Sequence, residues 1–198
     1  MALAPGAEDR AFTRDLIARQ GWGSGYVVIC PFTTRPQKHW FEERWADLAA
    51  RLHRDLGLPV LMLGGPADRG AAVGIAQRTA TAGPGLTDLA GGTSLLQAAA
   101  LIEASRLVIG VDTGLSHMGI AFGRPTLLLF GSTRPYLDTG RANARVLYHP
   151  LPCSPCKRRP TCGGAFDCMR RIEVDEVLGA ASDLLRPERQ EEGGGHES

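Results

Sequence analysis

The sequence predicts an α/β fold built on a parallel sheet with helices on both faces. Three observations lead there. Short apolar runs recur without alternating polar residues, at Tyr26–Cys30, Pro59–Leu63, Leu107–Val111 and Pro125–Phe130. Strands buried on both faces have that pattern, and such sheets are parallel. Between the runs lie segments whose apolar residues recur at helical spacing. The repeated strand–helix–strand order joins them into parallel units, a Rossmann-like arrangement.

The elements follow in order. Residues 1–25 precede the first strand and read as an N-terminal segment apart from the domain at 26–186. Tyr26–Cys30 is the first buried strand. Phe41, Trp45, Leu48, Ala49, Leu52 and Leu56 then share one face of a helix. Pro59–Leu63 is a strand stopped by Gly64, Gly65 and Pro66. Arg69 to Thr81 suits a helix of small residues, and a short strand is expected at Leu86 to Ala90. Thr93 is the expected N-cap of a helix from Ser94 to Ala104. Leu107–Val111 is a strand, Gly114 to Phe122 a short helix ended by Gly123, and Pro125–Phe130 the next strand. Residues 131–144 read as a loop, Arg145–Tyr148 as a last strand and 153–168 as irregular. A final helix places Val174, Val177, Leu178, Ala181 and Leu185 on its apolar face. The polar, glycine-rich tail at 187–198 is expected to be disordered.

Bulk composition excludes several classes. The 198 residues are 43% hydrophobic and 22% charged, with a formal net charge of +1. That balance gives no reason to expect nucleic acid as a partner. No apolar run reaches the roughly 20 residues of a membrane helix. The N-terminus lacks the basic and apolar regions of a secretory signal, so a cytoplasmic location is expected.

Two segments carry chemistry. In the first, the strand Leu107–Val111 runs directly into Asp112, Thr113, Gly114, Leu115, Ser116 and His117. A helix that begins there points unpaired backbone N–H groups and its positive dipole end at the turn, which favours a phosphate. Gly114 permits close approach of a ligand, Thr113 and Ser116 can donate hydroxyl bonds, and His117 lies within reach of an anion. The structural alternative makes Asp112 or Thr113 a cap and His117 a surface residue. In the second, Thr33, Thr34, Arg35 and Lys38 follow the strand Tyr26–Cys30. Open parallel sheets bind ligands at the carboxyl ends of their strands. A lysine there can neutralise charge on a departing diphosphate. The alternative is a solvated basic loop. Both segments lie at carboxyl ends of one sheet, so together they suggest a nucleotide diphosphate site. Neither is a Walker P-loop or a Gly-x-Gly-x-x-Gly turn, which argues against a kinase or a dehydrogenase.

At this point a family becomes recognisable. DTGLSHMGIAFGRPTLLLFGSTRP resembles the Asp-Thr-Gly-(x)2-His segment and following strand of glycosyltransferase family nine, whose best-known members are ADP-heptose:lipopolysaccharide heptosyltransferases. PFTTRPQKHWFEERWADLA and LMLGGPADR resemble further segments of that family, and the likeness spans roughly 26–186. The resemblance implies the C-terminal half of a GT-B fold and an inverting, metal-independent transfer without a cofactor. It implies that Thr33, Thr34 and Lys38 contact the diphosphate, with Lys38 stabilising the leaving group. Asp112 would contact the sugar or its phosphate neighbourhood, and Thr113, Gly114 and His117 would hold phosphate. Asp68 stands where many relatives have Glu, on the loop that reaches the ribose. Leu89 would line the adenine pocket.

The implied donor is ADP-heptose and the implied acceptor the lipopolysaccharide inner core, with peripheral contact at the cytoplasmic face of the inner membrane. The family's acceptor domain, which carries the general base, precedes the segment matched here. This chain is therefore expected to bind donor without transferring sugar alone. An alternative is a stand-alone nucleotide-sugar module that works with a separate partner chain.

Cys153, Cys156, Cys162 and Cys168 have C-x2-C-x5-C-x5-C spacing, and Cys30 stands apart. Four thiolates could close a tetrahedral zinc site and organise an interaction module. The alternative is a loop packed by reduced thiols, and the family scheme requires no metal. Lys157, Arg158, Arg159, Arg170 and Arg171 surround the cluster and could face acidic groups. His39, His53 and His149 have no ligand spacing, Trp45 reads as core, and Trp22 has no evident role.

Overall fold

A computed structural model describes residues 4–133, 139–156 and 159–186. The tail at 187–198, Lys157 and Arg158 lie outside the described residues. In chain order the elements are α1 (Ala7–Gln20), β1 (Val27–Cys30), α2 (Glu42–Leu56), β2 (Val60–Met62), α3 (Arg69–Ala82), β3 (Leu86–Asp88), α4 (Leu95–Ala104), β4 (Leu107–Val111), α5 (Gly114–Ala121), β5 (Thr126–Phe130), β6 (Ala144–Tyr148), α6 (Asp167–Arg170) and α7 (Val174–Leu185). Single turns of 3-10 helix lie at Pro36–Lys38 and Pro66–Asp68.

The six strands form one parallel sheet in the order β3-β2-β1-β4-β5-β6. Strand order reverses between β1 and β4, so the loops leaving these neighbours diverge and open a crevice at their carboxyl ends. Alternate residues feed two cores, as an extended chain requires. Val27, Ile29, Met62, Ile109, Val111, Leu127 and Leu129 meet Trp45, Leu48, Leu52, Ile75 and Val177 of α2, α3 and α7. Val28, Cys30, Leu61, Leu63 and Val108 meet Leu16, Ala98, Leu101 and Ile102 of α1 and α4. The apolar strand runs are thus covered on both faces, and no helix among the described residues is long and apolar enough to cross a membrane.

The structure differs from the sequence expectation at several points. The N-terminal segment contains α1, whose Leu16 and Thr13 are buried. Asp9 accepts a 2.9 Å bond from the Gly6 N–H at its start, and Arg10 forks onto Glu103 of α4 at 2.7 and 3.0 Å. Trp22 has a role after all: it is buried 5.2 Å from the Tyr26 ring, and Tyr26 donates to the Leu101 carbonyl. The cap of α4 is Ser94 rather than Thr93. Ser94 Oγ accepts from the Gln97 N–H while Gln97 Oε1 accepts from the Ser94 N–H, so the reciprocal pair selects Ser94. Helix α5 stops at Ala121, one residue early, and α6 forms a turn around Cys168 where irregular chain is expected.

Ser94→Ala should lower stability by about 1 kcal/mol, the ordinary worth of such a cap. Thr93→Ala should stay within about 0.5 kcal/mol. Urea melts of both variants check the assignment, and equal losses would count against it.

Candidate functional site

The switch point between β1 and β4 opens into a cleft of about 740 Å3. Phe32, Thr33, Thr34 and Lys38 line it from the segment after β1. Gly64, Gly65, Ala67 and Asp68 line it after β2, and Asp112, Thr113, Gly114, Leu115 and His117 after β4.

Local sequence sets each wall. Pro36 starts the 3-10 turn that carries Lys38, and Arg35 before it is extended, as a residue preceding proline must be. His39 Nε2 donates to the Thr33 carbonyl at 2.7 Å, which braces the same loop and explains a histidine without ligand spacing. On the second wall Asp68 Oδ2 accepts from the Gly65 N–H at 2.7 Å, so its carboxylate is folded back onto its own turn. On the third, Thr113 precedes α5 without capping it by its side chain. The first amides of α5 have no partner within the helix, which leaves donors for an anion at the cleft.

Asp112 stands at the centre. Lys38 Nζ donates to its Oδ2 at 2.5 Å, and Thr133 Oγ1 donates to the same oxygen at 2.9 Å. His117 Nε2 lies 3.1 Å from Oδ1, and since a carboxylate only accepts, this nitrogen carries the proton. The side chains of Lys38 and Asp112 are 17% and 19% exposed, so solvent screens the pair weakly. The bonds from His117, Lys38 and Thr133 outweigh desolvation and hold the carboxyl far below the usual carboxylate range.

The cleft brings together Thr33, Thr34, Lys38, Asp68, Asp112, Thr113, Gly114 and His117. Leu89 does not line it: the residue packs beside the core under α4. Arg35 lies outside the lining. Ser116 is fully buried, because the phase of α5 turns position 116 to the sheet. There a side chain at Gly110 would come within 2.0 Å of Ser116 Oγ and 2.9 Å of Cys30 Cβ, so only glycine fits. Burial pushes the Cys30 thiol up to about 12, which removes it as a nucleophile. Thr133 is the participant that sequence reasoning missed. Its one available signal is its place just past β5, at the same sheet edge as Asp112 and Lys38. Lys38 itself is one of two lysines against twenty arginines, in a chain that otherwise uses the planar guanidinium almost throughout.

The cysteine segment borders this edge. Ser154 Oγ donates to the Gly131 carbonyl, and Trp40 Nε1 donates to the Ile172 carbonyl at 3.0 Å. The cysteines differ in character. Cys153 is exposed, Cys156 and Cys162 are half-buried and Cys168 is buried. The Phe166 backbone and its neighbours lower the Cys162 thiol, while burial raises those of Cys156 and Cys168. All five cysteines are unbridged, and no three His, Cys, Asp or Glu among the described residues stand as a metal site would need.

A model of glycosyltransferase family 9 (heptosyltransferase) matches residues 4–165. Lipopolysaccharide heptosyltransferase 1 of Pseudomonas aeruginosa is 32% identical over 157 residues, which cover 78% of this chain and 42% of that protein. Lipopolysaccharide heptosyltransferase 2 of Salmonella typhimurium is 34% identical over 165 residues, covering 82% and 47%. The chain spans about half the length, or less, of these relatives. Among solved structures, E. coli ADP-heptose LPS heptosyltransferase II aligns with a TM-score of 0.70 at 25% identity, covering 91% of this chain and 52% of that one. E. coli heptosyltransferase WaaC with ADP-2-deoxy-2-fluoro heptose aligns at 0.60 and 28%, covering 80% and 43%.

The depressed Asp112 carboxyl has a consequence for acid stability. Its ionised form stabilises the fold above the ordinary value of 3.8, and that contribution fades as pH falls below it. Asp112→Asn should therefore lose less melting temperature than the parent between about pH 6 and pH 3. Equal losses in thermal melts at the two pH values would contradict the linkage.

Proposed function

The chain belongs to glycosyltransferase family 9, and from that membership we propose that its cleft binds the diphosphate of a nucleotide sugar, as the donor-binding half of a lipopolysaccharide heptosyltransferase. The observation that carries this reading is the convergence of Lys38, the Thr33 and Thr34 hydroxyls and the start of α5 on one cleft. Lysine, hydroxyls and unpaired amides are the groups that bind phosphate. Two solved structures of one relative, E. coli WaaC with ADP and with ADP-2-deoxy-2-fluoro heptose, support the same ligand class.

In the proposed reaction an acceptor hydroxyl attacks the anomeric carbon from the face opposite the diphosphate, so configuration inverts. Negative charge develops on the departing phosphate oxygen. Thr113, the α5 amides and Lys38, once it has turned from Asp112 to the bound diphosphate, stabilise that charge. Asp112 holds Lys38 in the cleft when no ligand is present and takes the ammonium back after release. His117, bonded to the same carboxylate, is kept in reach of the phosphates. In this reading Asp68 meets the ribose through the carboxylate oxygen that Gly65 leaves free, as the family resemblance implies. The base that activates the acceptor belongs to an acceptor-binding half of the full enzyme.

ADP should bind more tightly than UDP or GDP. Lys38→Ala should weaken ADP by about 1–3 kcal/mol, the scale of a charge-assisted hydrogen bond. Adenosine, which has no phosphate, should bind parent and variant alike. Calorimetry decides this: indifference to the base removes the ADP-sugar assignment, and an equal loss for adenosine makes Lys38 structural.

Transfer of heptose from ADP-heptose to a heptose-deficient lipopolysaccharide, read as release of ADP, should be absent with residues 1–198 and appear when an acceptor-binding half is supplied. Turnover by the chain alone would end the division of labour.

A further inference from the structure

The Asp112 carboxylate is bound by two kinds of partner, and they differ in what they can do next. Lys38 and Thr133 donate to the same oxygen, at 2.5 and 2.9 Å. Lys38 carries its ammonium at the end of a long, flexible stem and lines the cleft. Thr133 is a short side chain just beyond β5, the strand next to β4 in the sheet. If Lys38 turns to a diphosphate, Oδ2 loses its cation. A carboxylate oxygen that is mostly out of water then needs another donor, because an unsatisfied one is costly. The hydroxyl already in place supplies it.

We propose that Thr133 is a positioning residue: its hydroxyl holds the Asp112 carboxylate when Lys38 leaves it for the diphosphate, and so makes the lysine transferable. The proposal rests on the donor-binding reading for the ligand but not for the coupling itself. Three neighbouring strands contribute in sequence: Lys38 follows β1, Asp112 follows β4 and Thr133 follows β5. The hydrogen bond must come from the hydroxyl, so serine can replace threonine and isosteric valine cannot.

Two measurements on the chain test this. In the first, ADP binding is compared across five proteins: the parent, Thr133→Val, Thr133→Ser, Lys38→Ala and the double variant. Thr133→Val should weaken it about tenfold, on the scale of a hydrogen bond to a charged group. Thr133→Ser should stay within about twofold of the parent. In a Lys38→Ala background Thr133→Val should have almost no effect, since no lysine remains to be released. An equal loss with and without Lys38 would show that Thr133 only shapes the loop, and would overturn the proposal. The second measurement needs no nucleotide. Reductive methylation followed by mass spectrometry reads Lys38 against Lys157, the other lysine of the chain. Thr133→Val leaves Lys38 as the remaining donor on that oxygen, so its labelling should slow severalfold relative to Lys157, and Thr133→Ser should restore it. Unchanged or faster labelling in the valine variant would overturn the coupling. Should the parent chain bind no ADP, the donor-site reading fails, and the labelling result still judges Thr133.

Discussion

A carboxylate held largely out of water needs donors, and Asp112 finds them on three separate elements. It directly follows β4, the strand at which the order of the sheet reverses. The loop after β1 brings Lys38, α5 brings His117 and the chain past β5 brings Thr133. None of these residues is near another along the backbone except Asp112 and His117. Their meeting therefore reports the whole sheet in register. A sheet that slipped by one residue would turn Asp112 into a core face, where its charge would go unpaired. The site and the fold constrain each other through this one group.

The surroundings follow from it. Glycine at 110 keeps Ser116 and Cys30 close beneath the turn, which sets the position of α5 relative to β4. At the far side of the cleft edge, Gly131 does the same for α6: a side chain there would come within 2.5 Å of Met169 Sδ and 2.8 Å of Cys168 Sγ. Arg44 of α2 reaches the Arg170 carbonyl at 2.6 Å, and Arg170 lies 4.7 Å from the Phe41 ring. The chain around α6 thereby packs against Gly131 on one side and against Phe41 and Arg44 at the start of α2 on the other.

Much of this is legible in the sequence, for reasons that differ by residue. The central strands are legible because continuous apolar runs leave few alternatives. Lys38, Thr33, Asp112, Thr113 and His117 are legible because strand ends in parallel sheets share one edge. Thr133 shares that edge but not a recognisable spacing, and its partnership depends on β5 lying beside β4, which periodicity does not reveal. Ser116 and Thr113 look alike as hydroxyls; only the phase of α5 separates the one facing the sheet from the one facing the cleft. Leu89 follows β3, whose loop is tied instead to the β2 loop through the Gly91 N–H and the Gly64 carbonyl. The cysteine spacing is plain, yet it says nothing of Cys168 being turned under Gly131 while Cys153 faces solvent.

Helix α1 is the element least visible in the sequence, since only a narrow stripe of it is apolar. Its placement sets where the chain can be divided. Leu16 and Trp22 cover Tyr26, Val28 and Leu101, and the Arg10–Glu103 fork fastens the helix to α4. A shortened protein that begins at the first strand would bare this flank of the sheet to water, leaving a greasy surface beside an intact cleft. The smallest piece suited to crystallography, to fusion with another protein or to exchange between relatives therefore starts ahead of Ala7, not at Tyr26.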